Sequence, residues 1–137
     1  MRTKEAIGIV VGALVLLVVT IATLNRNKTH QKVENSRSTA ISAVELGAAY
    51  QQNERWANAH YLNHALEVSG NIAGVERNQN GENMVLLESI SPDIPVQCTM
   101  RQAEKPLPVG SRVKLKGLCT GSNLSGVTLT DCIVAAN

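Results

Sequence analysis

The side chains able to do chemistry are few and scattered. Cys98, Cys119 and Cys132 fall in three separate apolar stretches, without C-x-x-C spacing and with no histidine nearby in sequence. On three different strands they could converge, but without that spacing or a histidine a zinc site is not expected. An odd number of cysteines permits one internal disulfide and leaves one thiol, and the spacing does not choose the pair. Buried thiols acting as small hydrophobes are the plain alternative. His60 and His64 sit four apart and could share a helical face, but two imidazoles without a third ligand make a poor metal site, and the helix is expected to end between them. No Ser–His–Asp arrangement, paired-carboxylate cleft or phosphate-cradling loop is visible. Neither an enzyme nor a bound cofactor is expected.

Two further groups could bind rather than react. Arg112, Lys114 and Lys116 alternate, which puts them on one face of a strand. A solvated face that discourages edge pairing is preferred, with an anionic-ligand site as the weaker reading. The chain has no Phe, one Trp and two Tyr. Tyr50, Trp56 and Tyr61 all precede Ala65, and between 65 and 137 six Lys and Arg face seven Asp and Glu. Single-stranded nucleic acid is held by rings that stack bases, about 1–3 kcal/mol each, and by counterion release. Neither is provided, so nucleic acid is not the expected partner. The three rings are expected to pack a helix onto a barrel.

The elements that must position these residues begin with a membrane segment. The chain of 137 residues carries a net charge of +2 and admits one modest domain plus an appendage. After a short tail, residues 1–5, Ala6 to Leu24 runs nineteen residues without a charge. At 1.5 Å per residue that is about 28 Å, close to a bilayer's hydrocarbon thickness. Its ten β-branched residues are poor helix formers in water, but lipid imposes a helix because every backbone group must be satisfied within the segment. The run exceeds a signal-peptide core and lacks a clean small-x-small site at its end, so an uncleaved anchor is expected. Gly8 and Gly12 form a G-x-x-x-G pair, with a lone anchor favoured over helix pairing. Arg2 and Lys4 on one side face Arg26, Lys28, Lys32 and Arg37 on the other. The charge count leans towards a cytoplasmic C-terminal part, and the short leading tail towards an outer one. The outer, periplasmic side is adopted.

Residues 25–39 hold one large aliphatic residue, Val33, and read as a polar stalk lying near lipid head groups. Residues 40–137 are the folded domain. Ser42 and Glu45 match a capping box, and Ile41, Val44, Ala48, Ala49, Trp56 and Ala57 recur as one apolar face of a single helix continuing to about His60. Beyond Ala65 the period switches to two. Strands are predicted over Leu66–Glu76, Asn83–Glu88, the run around Val96, Cys98 and Met100, Ser111–Cys119 and Val127–Val134. Five short strands with turn and mid-strand glycines suit a small closed barrel of the OB type. The fold class is therefore all-β, a five-stranded OB-type barrel preceded by one amphipathic helix and a single transmembrane helix.

Several segments carry a family resemblance. Tyr50-Gln51-Gln52-Asn53-Glu54, Ala57-Asn58-Ala59-His60-Tyr61, Leu66-Glu67-Val68-Ser69-Gly70 and the run Val109 to Gly117, then Cys119-Thr120-Gly121 and Leu129-Thr130-Asp131-Cys132, together resemble the bacterial tRNA_anti-like OB-fold family. Asn27-Lys28-Thr29-His30 is similar to the start of the stalk in anchored members. The likeness covers roughly residues 40 to 134. It implies an OB barrel behind a helix, exported or membrane-tethered, with no established activity; the family name reflects likeness to anticodon-binding domains. Ser122 and Gly126 stand where members often carry an aromatic and an acidic residue, which weakens any binding-loop role carried over. The expectation is a tethered, non-catalytic module at the cell envelope, contacting protein or a small ligand. A cytoplasmic nucleic-acid-binding module is the alternative.

Overall fold

Alternating burial organises the domain. In the computed structural model, which describes residues 9–21, 37–102 and 105–136, the strands β2 (Ala65–Arg77), β3 (Asn83–Leu87), β4 (Val96–Met100), β5 (Arg112–Asn123) and β6 (Gly126–Val134) turn one side of each pleat inward. Leu66, Val68, Val85, Leu87, Val96, Cys98, Leu115, Cys119 and Leu129 meet in the core. Hydrogen-bonded neighbours run β2–β3–β4–β6–β5, and β5 pairs back onto β2, so five strands close a ring. β4 and β6 are parallel and the other ring pairs antiparallel. This is the Greek-key barrel expected of an OB fold.

A sixth strand was not anticipated. β1 (Thr39–Ser42) pairs in parallel with residues 66–69 of β2, and β3 takes the same side of β2 only from Ile72 onward, past a register shift at Ile72/Gly74. β1 therefore fills the stretch of β2 that β3 leaves bare.

The single helix expected before the barrel is two helices, α2 (Ala43–Gln52) and α3 (Glu54–Tyr61). Asn53 breaks them: its extended backbone, φ −158° and ψ 90°, closes α2, while its side chain accepts the Trp56 N–H at 3.0 Å to open α3. The core-facing stripe also differs from the expected one. α2 buries Ala43, Leu46, Gly47 and Tyr50, spaced i, i+3, i+4, i+7, and closes one end of the barrel. Close fit there requires small residues. A Cβ on Gly47 would fall 1.8 Å from Ser89 Oγ, and one on Gly70 would lie 3.0 Å from the Ala43 methyl.

The chain divides into two units, residues 1–34 and 35–137. In the first, residues 9–21 form helix α1, whose side chains are exposed throughout, from Ile9 to Ile21. Among the described residues no helix is long and apolar enough to cross a membrane. Residues 6–8 and 22–24 of the expected span, with Gly8 of the glycine pair, lie outside the described residues, as does most of the stalk. A Cβ on Gly12 would meet nothing within 4 Å.

Candidate binding cleft

Of the stripe predicted to be the apolar face of the helix, Ala57 is buried in the core and Val44 is exposed, while Ile41, Ala48, Ala49 and Trp56 line a cleft. Ile41 of β1, Ala48 and Ala49 of α2, and Trp56 and Tyr61 of α3 wall an open hollow of about 570 Å³, with Glu45 its one ionised group and the carboxamides of Gln52 and Asn53 completing the lining. That volume lies within the range of small-ligand sites. α2 is thus apolar on two sides, one sealed by the barrel and one open.

Local bonding fixes the cleft. Ser42 Oγ accepts the Glu45 N–H at 3.1 Å, while Glu45 Oε2 accepts from the Ser42 N–H at 3.1 Å and hydroxyl at 2.8 Å. These hydrogen bonds hold the Glu45 carboxyl below the usual carboxylate range, so it stays charged. Trp56, 48% exposed, stacks on His60 with ring centroids 3.9 Å apart and meets Tyr61 edge-on at 5.9 Å. His60 Nδ1 lies 2.8 Å from the Trp56 carbonyl one turn back. α3 is clamped to β5 past its end by Asn63 N–H to Cys119 O, 2.8 Å, and Cys119 N–H to His64 O, 3.0 Å, and at its start by Ser122 Oγ donating to Glu54 Oε1, 3.1 Å. The rings are therefore mounted on a fixed helix rather than a loop.

Tyr50 differs from its two fellow rings. It is buried, with its hydroxyl 3.4 Å from Cys119 Sγ, and burial first, then Cys119, push its phenol well up. It packs α2 onto the barrel. Tyr61 is half-buried against the core, and Trp56 stands at the cleft.

The face by which OB barrels take oligonucleotides is the outer side of β3 and β4 with its flanking loops. Here it presents Met84, Leu86, Gln97 and Thr99, which register brings together as Met84 beside Thr99 and Leu86 beside Gln97. Gln97 Nε2 donates to Ser125 O at 2.7 Å, drawing the β5–β6 turn onto that face. At its edge, a hollow of about 240 Å³ has Arg77 and Arg101 in its lining. Arg101 is committed: its Nε and Nη2 reach the two Asp131 carboxylate oxygens at 2.8 and 2.9 Å, and both side chains are nearly buried.

The basic row Arg112, Lys114, Lys116 lies along β5 where β5 pairs with β2. Lys116 stands opposite Glu67, and Lys114 Nζ reaches Glu67 Oε1 at 3.3 Å. Cys98, Cys119 and Cys132 are fully buried free thiols. A hydrogen bond with Cys98, then burial, push the Cys132 thiol well up. His64 lies past the end of α3, and no group of three ligating side chains that could hold a metal occurs among the described residues.

Sequence reasoning missed the cleft because it took the helix as unbroken. The signal that could have found it is Asn53 followed by Glu54, a helix-start pair in mid-helix.

No match was found among curated proteins. Among solved structures the chain is similar to a "putative nucleic acid-binding lipoprotein" from Klebsiella pneumoniae subsp. pneumoniae MGH 78578, at 17% identity and a TM-score of 0.56, covering 72% of this chain and 92% of that one. A "putative aspartyl-tRNA synthetase" from Leishmania major Friedlin matches at 11% identity and a TM-score of 0.44, covering 72% of this chain and 21% of the synthetase. The first likeness carries the fold alone. The tRNA_anti-like family model, by contrast, matches residues 1–133, from the apolar run to the last strand. With the closed five-stranded barrel behind its helices, that match places the chain: it belongs to the tRNA_anti-like family.

Proposed function

We propose that this chain is a membrane-tethered, non-catalytic OB-fold binding module that works at the cell envelope through protein or small-ligand contacts, and that its contact surface is the cleft of α2, α3 and β1. The observation that carries this reading is the placement of the rings. Trp56 and Tyr61 line a cleft whose one ionised group is negative, while the outer face of β3 and β4 offers aliphatic and amide side chains. Phosphates are repelled by the first surface and find no stacking partner on the second.

Tethering is supported by the uncharged run Ala6 to Leu24 and by the exposure of apolar side chains on every side of residues 9–21. A helix hydrophobic all round needs lipid or protein about it. Envelope association is supported by the lipoprotein description of the similar Klebsiella protein, and the outer side by the short tail of residues 1–5 that leads the apolar run. Protease treatment of intact spheroplasts tests it: residues 37–137 are cleaved if they face outward and protected if they face the cytoplasm.

The description of that same protein as nucleic-acid-binding favours the second reading, an oligonucleotide-binding module on the cytoplasmic face. Anisotropy titration of a labelled single-stranded oligonucleotide with the full chain in detergent micelles, at low and moderate salt, separates the two. No saturable, salt-sensitive binding is expected. Tight binding that weakens steeply with salt replaces the first reading with the second.

A further inference from the structure

Resting on the reading of the cleft as the contact surface, we propose that it receives the side chain of a lysine or arginine from an extended peptide that adds to the free edge of β1.

Three observations converge. First, β1 pairs with β2 alone among the described residues; of its outward peptide groups the Ser42 N–H is taken by Glu45, which leaves those of Ala40 to a further strand. Such an edge is a template for main-chain pairing. Second, β1 is four residues long, too short for main-chain pairing to hold a partner unaided, yet its Ile41 lines the cleft. A peptide laid along β1 brings alternate side chains to that opening. Third, the chemistry of the opening is selective by charge. Glu45 is its one ionised group, held ionised by Ser42 through Oε2, and Oε1 has no hydrogen-bond partner among the described residues. Trp56 and Tyr61 stand in the same lining. A carboxylate and aromatic rings in one lining suit an ammonium or guanidinium, through charge and through cation–π attraction at the Trp56 face that His60 leaves uncovered. A carboxylate-bearing ligand is repelled there, and an aliphatic one leaves Glu45 unanswered.

Trp56 is the chain's one tryptophan, so its emission reports the cleft directly. The test titrates the full chain in detergent micelles with four pools of end-blocked heptapeptides. The central residue is fixed as Lys, Arg, Glu or Leu, and the flanking positions are mixed β-branched and polar residues. The Lys and Arg pools are expected to shift Trp56 emission saturably, and the Glu pool to leave it unchanged. Glu45→Gln keeps the capping interaction but removes the charge. It is expected to weaken the Lys pool about fivefold, the scale of one exposed charge contact, while leaving the Leu pool as it was. A Lys pool with N-methylated backbone is expected to bind more weakly than its parent, because it cannot pair with β1.

Equal responses to the Lys and Glu pools, or no response to any pool at millimolar concentration, overturn the proposal. So does N-methylation without effect, which marks a site for free cations. Emission that changes with protein concentration alone assigns the cleft to a second copy and equally overturns it. The oligonucleotide titration tests the broader reading separately: silence from the pools with no oligonucleotide binding sinks the peptide proposal alone, whereas tight oligonucleotide binding sinks the reading beneath it.

Discussion

Two surfaces of this barrel differ in what they can hold. The outer face of β3 and β4 carries Met84, Leu86, Gln97 and Thr99, and of the two guanidinium groups at its edge, Arg77 and Arg101, that of Arg101 is held by Asp131. The capped end carries a half-exposed Trp56, Tyr61 and an ionised Glu45 around an open cleft. The barrel is of the OB type, yet the side chains suited to recognition sit on elements added in front of it. Fold and binding site are separable, and here the added helices hold the rings.

The comparison is broken most severely by removing Asp131. Asp131→Ala leaves the Arg101 guanidinium nearly buried and without its bidentate partner, and is expected to cost about 3 kcal/mol in denaturant unfolding. Trp56 emission in the remaining native protein should be unchanged, because the pair lies at the barrel face. A cost below about 1 kcal/mol would show that the ion pair is solvated.

Leu46→Ala acts on the other side. Leu46 is fully buried where α2 closes the barrel, so its truncation is expected to cost about 2–4 kcal/mol. By contrast Leu86→Ala, on a half-buried outer position, should cost less than about 1.5 kcal/mol. Equal costs would mean that α2 is loosely docked.

Asn53→Ala sharpens the contrast, since it removes the N-cap of α3 without touching the core. About 1 kcal/mol is expected, together with a shift in Trp56 emission as the ring loses its mounting. An unchanged emission would show that stacking on His60 alone places the indole.

The smallest effect concerns pH. The Glu45 carboxyl lies below its ordinary value in the folded chain. Its contribution to stability is therefore present above the unfolded carboxylate pKa and lost as pH falls through the folded one. Unfolding midpoints measured across the acid range should show less acid sensitivity in Glu45→Gln than in the parent. Identical pH profiles would deny Ser42 its hold on the carboxylate.

Much of the barrel was legible because a strand half in the core alternates residue by residue. Leu66, Val68 and Ile72, and again Val96, Cys98 and Met100, declare their faces in the chain itself. β1 did not declare itself. Four residues ending in a helix cap offer two alternations at most, and their pairing with residues 66–69 depends on where β3 leaves β2. The break at Asn53 was hidden because no Pro or Gly marks it. On an unbroken helix the stripe through Val44, Ala48 and Ala49 reads as the core face. The true core face, Ala43, Leu46, Gly47 and Tyr50, contains a glycine and an alanine and so looks the weaker of the two. Small residues were needed there because the barrel comes so near, a requirement that belongs to the tertiary structure. For the three cysteines the spacing left a disulfide and buried thiols both open, and the structure buries all three as free thiols.

The central claim is that recognition belongs to the capped end and not to the barrel face. Amide and indole chemical-shift mapping of the isotope-labelled full chain in micelles, titrated with the lysine-centred peptide pool and then with a single-stranded oligonucleotide, tests it most directly. The account predicts that the peptides move the Trp56 indole and the amides of Thr39 to Tyr61, and that the oligonucleotide moves little. Shifts concentrated on Met84 to Leu87 and Gln97 to Thr99, with Trp56 still, would contradict it.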